Sequence, residues 1–297
     1  MNVPVLDIEP LRRDPQRLAG PEIVARIDAA CVESGFFVVV GHGVDEQMRA
    51  VFDAARRFFA MPPDAKLAVA MRGDLNGYVL PGASRTGNKE MFDIGVDGSG
   101  RWPDVDGFRT AVIDYQREAL GVAEVLLRAI AVALDVEPSF FASRMRHPEC
   151  FLRMLRYPST SNDGSRGDAL PTGAHTDYGA ITLLATDGVP GLETRTGNAD
   201  WTAVVAPEGS LVVNIGDMLA RWTNGRYAST PHRVVGGDRA ERYSIPLFVN
   251  PDPDTVVECI PSCVTAQQPC RYEPITATEF LRGRIDGTIA TGDGRHG

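Results

Sequence analysis

From about Cys150 onward the chain changes character, and that change limits what it can fold into more than any other feature. Six short apolar runs, at 151–157, 180–186, 191–195, 201–205, 210–215 and 242–250, are separated by turn signals such as Asp187-Gly188, Thr196-Gly197-Asn198 and Asn224-Gly225. Many short strands at this spacing predict a sandwich, barrel or jelly roll.

The first half reads differently. Val3-Pro4-Val5-Leu6-Asp7-Ile8 predicts a short edge strand, because Pro4 has no N–H for a central ladder. Gly20-Pro21 opens a helix to about Ser34, Gly35 ends it, and Phe36-Phe37-Val38-Val39-Val40 follows as a buried strand. Asp45 caps a helix to about Phe59, and Pro62-Pro63 starts a short one. The stretch 72–106, rich in Gly, Asn, Asp and Pro, predicts a long ordered loop. Val112, Ala119, Ala123, Leu127, Ile130 and Leu134 recur at helical spacing over 110–134, and Pro138-Ser139-Phe140-Phe141 begins a shorter helix. Thr276 with Glu279 makes a capping box for a last helix over 277–285, followed by a frayed tail. The expectation is a mixed α+β chain dominated by β. Residues 1–106 form an N-terminal region carrying the loop, and 107–297 hold helical support, a core at about 150–258 and the last helix, all in one compact unit.

Charge and targeting signals narrow the function. A net charge of -9 argues against a nucleic-acid partner, since phosphate binding needs a basic face. Met1-Asn2-Val3-Pro4 lacks the basic segment and apolar stretch of a secretory signal, and no apolar run approaches the roughly 20 residues of a membrane span, so the expectation is a cytoplasmic protein off the membrane. The five cysteines (Cys31, Cys150, Cys259, Cys263, Cys270) are odd in number and scattered, and the last three lack zinc-site spacing, so buried free thiols are expected.

The chemistry gathers in the strand-rich half. In Gly173-Ala174-His175-Thr176-Asp177, His175 and Asp177 stand two apart, which in an extended chain puts both on one face. His232, in Thr230-Pro231-His232-Arg233, supplies a second imidazole far along the chain. Two histidines and one carboxylate are the set that holds non-haem Fe(II) with positions open for substrate and oxygen. Ten residues on, Arg242-Tyr243-Ser244 places a guanidinium and a hydroxyl on one strand face, suited to an organic acid.

In their order and spacing these segments resemble the iron(II)- and 2-oxoglutarate-dependent oxygenases of the isopenicillin N synthase-like family. The resemblance covers nearly the whole chain. It includes Ser34-Gly35-Phe36-Phe37 through Gly41-His42-Gly43-Val44, Leu155-Arg156-Tyr157-Pro158, Gly191-Leu192-Glu193 and Asn214-Ile215-Gly216-Asp217. It implies a double-stranded β-helix core, a jelly-roll variant related to cupins. It also implies Fe(II) on His175, Asp177 and His232, with Arg242, Ser244 and the Tyr157 hydroxyl holding the far carboxylate of 2-oxoglutarate. The implied reaction uses O2, converts 2-oxoglutarate to succinate and CO2, and proceeds through an iron(IV)-oxo species that hydroxylates, desaturates or cyclises a small metabolite. An amino acid derivative or natural-product intermediate fits a chain of this compass.

Many plant members carry asparagine where this chain has Leu155, and isopenicillin N synthase keeps Arg-x-Ser without using 2-oxoglutarate. Cosubstrate-free oxidation is therefore the alternative, with a cupin-type metalloenzyme and a non-catalytic jelly-roll binding protein as contrasting classes. Candidate substrate contacts are Arg72, Tyr78, Phe92, Arg101, Arg156, Leu170, Thr172 and Phe248, and the arginines would answer an acidic substrate. His42 and Asp93 read as structural, Asn214 and Asp217 as turn residues, and His147 as a surface residue.

Overall fold

The computed structural model describes residues 3–13, 21–72, 76–82, 89–95, 98, 100–159, 172–235 and 241–289. The functional half of the molecule is built from twelve strands: β1 (Val5–Asp7), β2 (Phe36–Val40), β3 (Gly77–Val79), β4 (Glu90–Gly95), β5 (Phe151–Tyr157), β6 (Thr172–His175), β7 (Ile181–Thr186), β8 (Leu192–Thr194), β9 (Thr202–Ala203), β10 (Leu211–Ile215), β11 (His232–Val234) and β12 (Arg242–Val249). The helices are α1 (Glu9–Arg13), α2 (Pro21–Glu33), α3 (Asp45–Phe59), α4 (Pro63–Leu67), α5 (Phe108–Ala133), α6 (Asp217–Trp222) and α7 (Ala277–Ile285).

Eight strands form one sheet in the order β1-β2-β10-β7-β12-β5-β4-β3, so strands from both halves of the chain share a single ladder. β1 pairs with β2 in parallel, and the other pairings are antiparallel. A second, smaller sheet runs β6-β11-β8-β9. The two face each other as a jelly roll.

Strand parity sorts the large sheet. Phe37, Val39, Leu183, Val213, Ile245, Leu247, Leu152 and Phe92 point to one face and merge with buried residues of α2, α3 and α5 into the main core. Their alternate neighbours point into the space between the sheets, where Phe36, Val38 and Val212 pack on Leu192, and Met91, Leu155 and Tyr157 on Val234. Because side chains alternate every residue, one strand serves a dry core and a wet cavity at once. Gly35 makes the turn from α2 into β2 with φ +65, and a Cβ there would lie 1.9 Å from the Ala228 carbonyl oxygen.

The strands of the 151–157, 180–186, 191–195, 210–215 and 242–250 runs, α2, α5 and the Thr276–Glu279 capping box follow the pattern read from the sequence. In α3, by contrast, Val44 is the N-cap with no side-chain bond and Asp45 is the first residue, because no backbone N–H of the first turn reaches the Asp45 carboxylate. Among the described residues no helix is long and apolar enough to cross a membrane. Four further local expectations change. The 72–106 stretch contains β3 and β4, because the charges of Glu90 and Asp93 mask an alternation that becomes visible only when their partners on β5 are in place. After Pro138 only a 3-10 turn forms, at Ala142–Arg144, and the 201–205 run shortens to Thr202–Ala203. Cys259 and Cys270 are joined in a disulfide, whereas Cys31, Cys150 and Cys263 are free and buried. Nothing in the cysteine spacing announces that pair. It arises because Asn224 donates to the Cys263, Gln268 and Pro269 carbonyls and folds the intervening chain back, bringing the two Cα atoms to 6.0 Å.

Candidate active site

The cavity between the sheets is lined by His175, Asp177 and His232 together with Arg242, Ser244 and Tyr157. β6 and β11 are antiparallel neighbours with His175 directly opposite His232, and their ring centroids lie 4.3 Å apart. Asp177 follows β6 in the loop leading to β7. That loop is pressed against the end of β10, where a Cβ on Gly216 would meet the Gly179 carbonyl oxygen at 2.2 Å, and the Asp217 N–H donates to the Asp177 carbonyl at 2.8 Å. Glycine at 216 is thus required by close backbone approach.

Each of the three side chains is oriented by a neighbour. His175 Nδ1 donates to the Gly173 carbonyl at 2.9 Å and His232 Nδ1 to the Thr230 carbonyl at 3.3 Å, so both Nε2 atoms keep their lone pairs. Those Nε2 atoms each lie 3.8 Å from Asp177 Oδ1. The other carboxylate oxygen, Oδ2, accepts from Thr182 Oγ1 at 2.6 Å and Asn214 Nδ2 at 2.7 Å. Three candidate ligand atoms within 4.8 Å of one another, two imidazole nitrogens and one carboxylate oxygen, make a donor set that fits one divalent metal ion.

Electrostatics favour the metal-ready protonation states. Burial raises the Asp177 carboxyl, but His232, His175 and the hydrogen bonds from Thr182 and Asn214 outweigh it and hold it below the usual carboxylate range. His175 is shifted down by loss of water and by the adjacent His232, against the opposite pull of Asp177. The neutral ring and the charged carboxylate are the ligand forms.

A second polar cluster lies farther along the cavity wall. Arg242 and Ser244 on β12 point the same way, as their spacing predicts, and Arg242 Nη1 donates to Ser244 Oγ at 3.3 Å. The guanidinium also donates to the Val189 carbonyl at 3.2 Å and stands 5.0 Å from the Tyr157 ring centroid. Tyr157, on β5, is the register partner of Arg242. No carboxylate faces Arg242 among the described residues, although it is only 4 % exposed. A buried guanidinium held by neutral acceptors is suited to an anion.

Of the further candidates, Thr172 and Phe248 line the cavity. Tyr78, Phe92 and Arg156 lie on the opposite face of the sheet, because their strand parity is the other one. Tyr78 donates to Glu90, Phe92 packs on Phe58 and Phe108, and Arg156 pairs with Glu90 and Glu241. Arg72 is exposed and Arg101 half-buried, and neither is among the lining residues. Leu170 lies outside the described residues. His42 is structural, accepting from the Val44 N–H and bonding the Gly209 carbonyl, and Asp93 forms a two-pronged pair with Arg153.

Asn214 is more than a turn residue, since it holds the Asp177 carboxylate. Asp217 likewise gathers Ser229, Thr176 and Arg284 behind the site. Lys89 and Arg153 also line the cavity and were not singled out from the sequence. The signal was present in the alternation of Lys89, Met91 and Asp93, but only with β4 recognised as a strand.

Comparison with known proteins agrees with this geometry. Residues 147–251 match the 2OG-Fe(II) oxygenase superfamily, and residues 3–109 match the N-terminal region of non-haem dioxygenases in morphine synthesis. A 2-oxoglutarate-Fe(II) type oxidoreductase, hxnY, of Emericella nidulans is 34% identical over 94% of this chain and 88% of its own. Kihadalactone A synthase LFS of Citrus sinensis is 34% identical over 90% of both chains. The structure of a full-length Neurospora crassa protein in complex with alpha-KG and thymine superposes with a TM-score of 0.87 at 28% identity, covering 97% of each chain. The chain belongs to the iron(II)- and 2-oxoglutarate-dependent oxygenases.

Proposed function

We propose that His175, Asp177 and His232 hold the Fe(II) of this dioxygenase and that Arg242, Ser244 and Tyr157 receive the far carboxylate of 2-oxoglutarate. The observation that carries the metal assignment is the division of labour in Asp177. Oδ2 is committed to Thr182 and Asn214, which leaves Oδ1 facing both histidine Nε2 atoms. Bound in that set, Fe(II) supplies oxygen activation coupled to decarboxylation of 2-oxoglutarate to succinate and CO2, with oxidation of a substrate as the outcome. The protein's own part is to fix three ligands, orient the cosubstrate through a charge-assisted pair, and keep water from the apolar walls.

The substrate is read as a small metabolite, an amino acid derivative or natural-product intermediate, in keeping with relatives such as the lactone synthase. Hydroxylation, desaturation and ring closure are all open to such a site. We further read residues 1–106 and 107–297 as one functional unit, and the protein as cytoplasmic.

Two measurements test the site. Anaerobic metal titration should give one tight Fe(II) per chain in the wild type and none in His175→Ala or His232→Ala. Succinate should form with oxygen uptake under Fe(II), ascorbate and 2-oxoglutarate. Oxygen uptake without succinate would overturn the cosubstrate role of Arg242, Ser244 and Tyr157.

A further inference from the structure

Several buried and part-buried cations among the described residues are paired with carboxylates. Lys66 and Arg156 meet Glu90, Arg153 meets Asp93, and Arg284 meets Asp217. Two cavity-lining cations stand outside this pattern among the described residues: Arg242, already matched to the cosubstrate, and Lys89. Lys89 is 7 % exposed, and its ammonium donates to the Thr172 hydroxyl at 2.8 Å and to no carboxylate of the described residues. Its sequence neighbour Glu90 cannot serve, because it points to the other face and is filled by Lys66, Tyr78 and Arg156.

A charge taken out of water and left unpaired is costly, so a cation held in a ligand cavity points to an anion that arrives with the ligand. The cosubstrate cannot easily supply it. Of its two carboxylates one goes to the metal and the other to Arg242, and those charges cancel the ion, Asp177 and the guanidinium between them. Lys89 is left with a single positive charge. The cavity that Lys89 lines also has apolar walls, among them Leu155, Leu184, Val234, Pro246 and Phe248.

We propose that Lys89 anchors the substrate of this enzyme, and that the substrate is a monocarboxylate with an otherwise apolar body. The proposal rests on the assignment of Arg242 to 2-oxoglutarate. Thr172 acts as a positioning residue, holding the ammonium by its hydroxyl, which also lies 3.3 Å from the Tyr157 hydroxyl. Burial, with Arg153 adding to it, lowers the Lys89 pKa to about 8, which leaves the group charged at neutral pH. A dianion such as a phosphate monoester would overcompensate it.

The test uses the full chain loaded with Mn(II), a redox-inert stand-in, and 2-oxoglutarate, with calorimetry as the readout. Cosubstrate binding is measured first. A wild type that does not bind 2-oxoglutarate topples the oxygenase assignment of Arg242 rather than that of Lys89. A panel of aromatic and alicyclic monocarboxylates is then compared with the matching primary amides. The wild type should bind its preferred acids about tenfold or more tighter than their amides, the size expected for a charge-assisted buried hydrogen bond. Lys89→Met should abolish that preference and Lys89→Arg should retain most of it. Equal binding of acids and amides by the wild type, or of neither, overturns the proposal without recourse to any variant. A preference that survives in Lys89→Met overturns it too. So does a Lys89→Met protein whose main loss is in 2-oxoglutarate affinity, since Lys89 would then serve the cosubstrate.

Discussion

The two faces of the eight-stranded sheet are made from the same strands and obey different rules. On the helix side, Leu183, Val213, Ile245 and Leu247 are fully buried against the helices, and a charged cluster around Glu90 is closed by Lys66, Tyr78 and Arg156. On the cavity side, Asp177 keeps one oxygen uncommitted, Arg242 has no carboxylate among the described residues, and Lys89 holds only a hydroxyl. The contrast separates stability from function at the resolution of a single residue. On the cavity parity Asp93 and Arg153 are paired, so the candidate ligand contacts are the groups left incompletely paired there, whereas the charges around Glu90 on the other parity are closed among themselves.

Substitutions on each face should break the molecule in different ways. The largest effect is expected at Asp177. Asp177→Ala removes a proposed ligand outright, so Fe(II) binding and succinate formation should fall by more than the ten- to hundredfold typical of losing a residue that merely orients a ligand. Metal titration with a succinate assay reads both, and an Asp177→Ala protein that retains metal at wild-type affinity would move the site elsewhere.

Next come neighbours on one strand. Ile245→Ala should destabilise the fold by about 2–5 kcal/mol in denaturant titrations, with the 2-oxoglutarate requirement unchanged. Arg242→Ala should do the reverse. The cosubstrate concentration for half-maximal succinate formation rises by roughly ten- to a hundredfold, from a charge-assisted hydrogen bond of about 1.5–3 kcal/mol, at near wild-type metal affinity. If both variants change the same observable, the division by parity fails.

A smaller effect is expected at Asn214, which donates to Asp177. Asn214→Ala should weaken metal binding about tenfold while leaving the 2-oxoglutarate requirement of the metal-saturated enzyme intact. A normal metal titration would return Asn214 to its reading as a turn residue.

The smallest effect is a pH dependence on the helix side. Burial alone would raise the Glu90 carboxyl, but hydrogen bonds from Lys66, Tyr78 and Arg156 win and hold it below its ordinary value of 4.5. A carboxyl lowered on folding stabilises the native state fully above that ordinary value, and the contribution drains away as pH falls through the lower native one. Thermal midpoints of the wild type should therefore decline on the acid side more steeply than those of Glu90→Gln. Parallel curves would mean that Glu90 titrates alike in the folded and unfolded chains.

Much of this was legible in residue order alone. The switch to short strands after Cys150, the His-x-Asp pair with a distant histidine, and Arg242 with Ser244 are local patterns, and alternation along an extended chain suffices to place each pair on one face. Substrate contacts were harder to read because they depend on which face of a strand turns inward. Arg156 reads from the sequence as suited to an acidic ligand, yet pairing with Glu90 and Glu241 turns it into structure. The Cys259–Cys270 disulfide and the strand status of Glu90–Gly95 were hidden for a related reason, since each depends on a partner remote in the chain.

By itself, then, the order of residues determined the jelly-roll class and singled out the candidate metal ligands and the candidate anion-binding pair, because these follow from short-range periodicity and from the donor chemistry of particular side chains. Only the tertiary structure decided which charges are spent on one another and which are left for ligands. That balance is set by long-range strand register: it puts Glu90 and Lys89, adjacent in the chain, on opposite faces, one filled by protein partners and the other turned into the cavity.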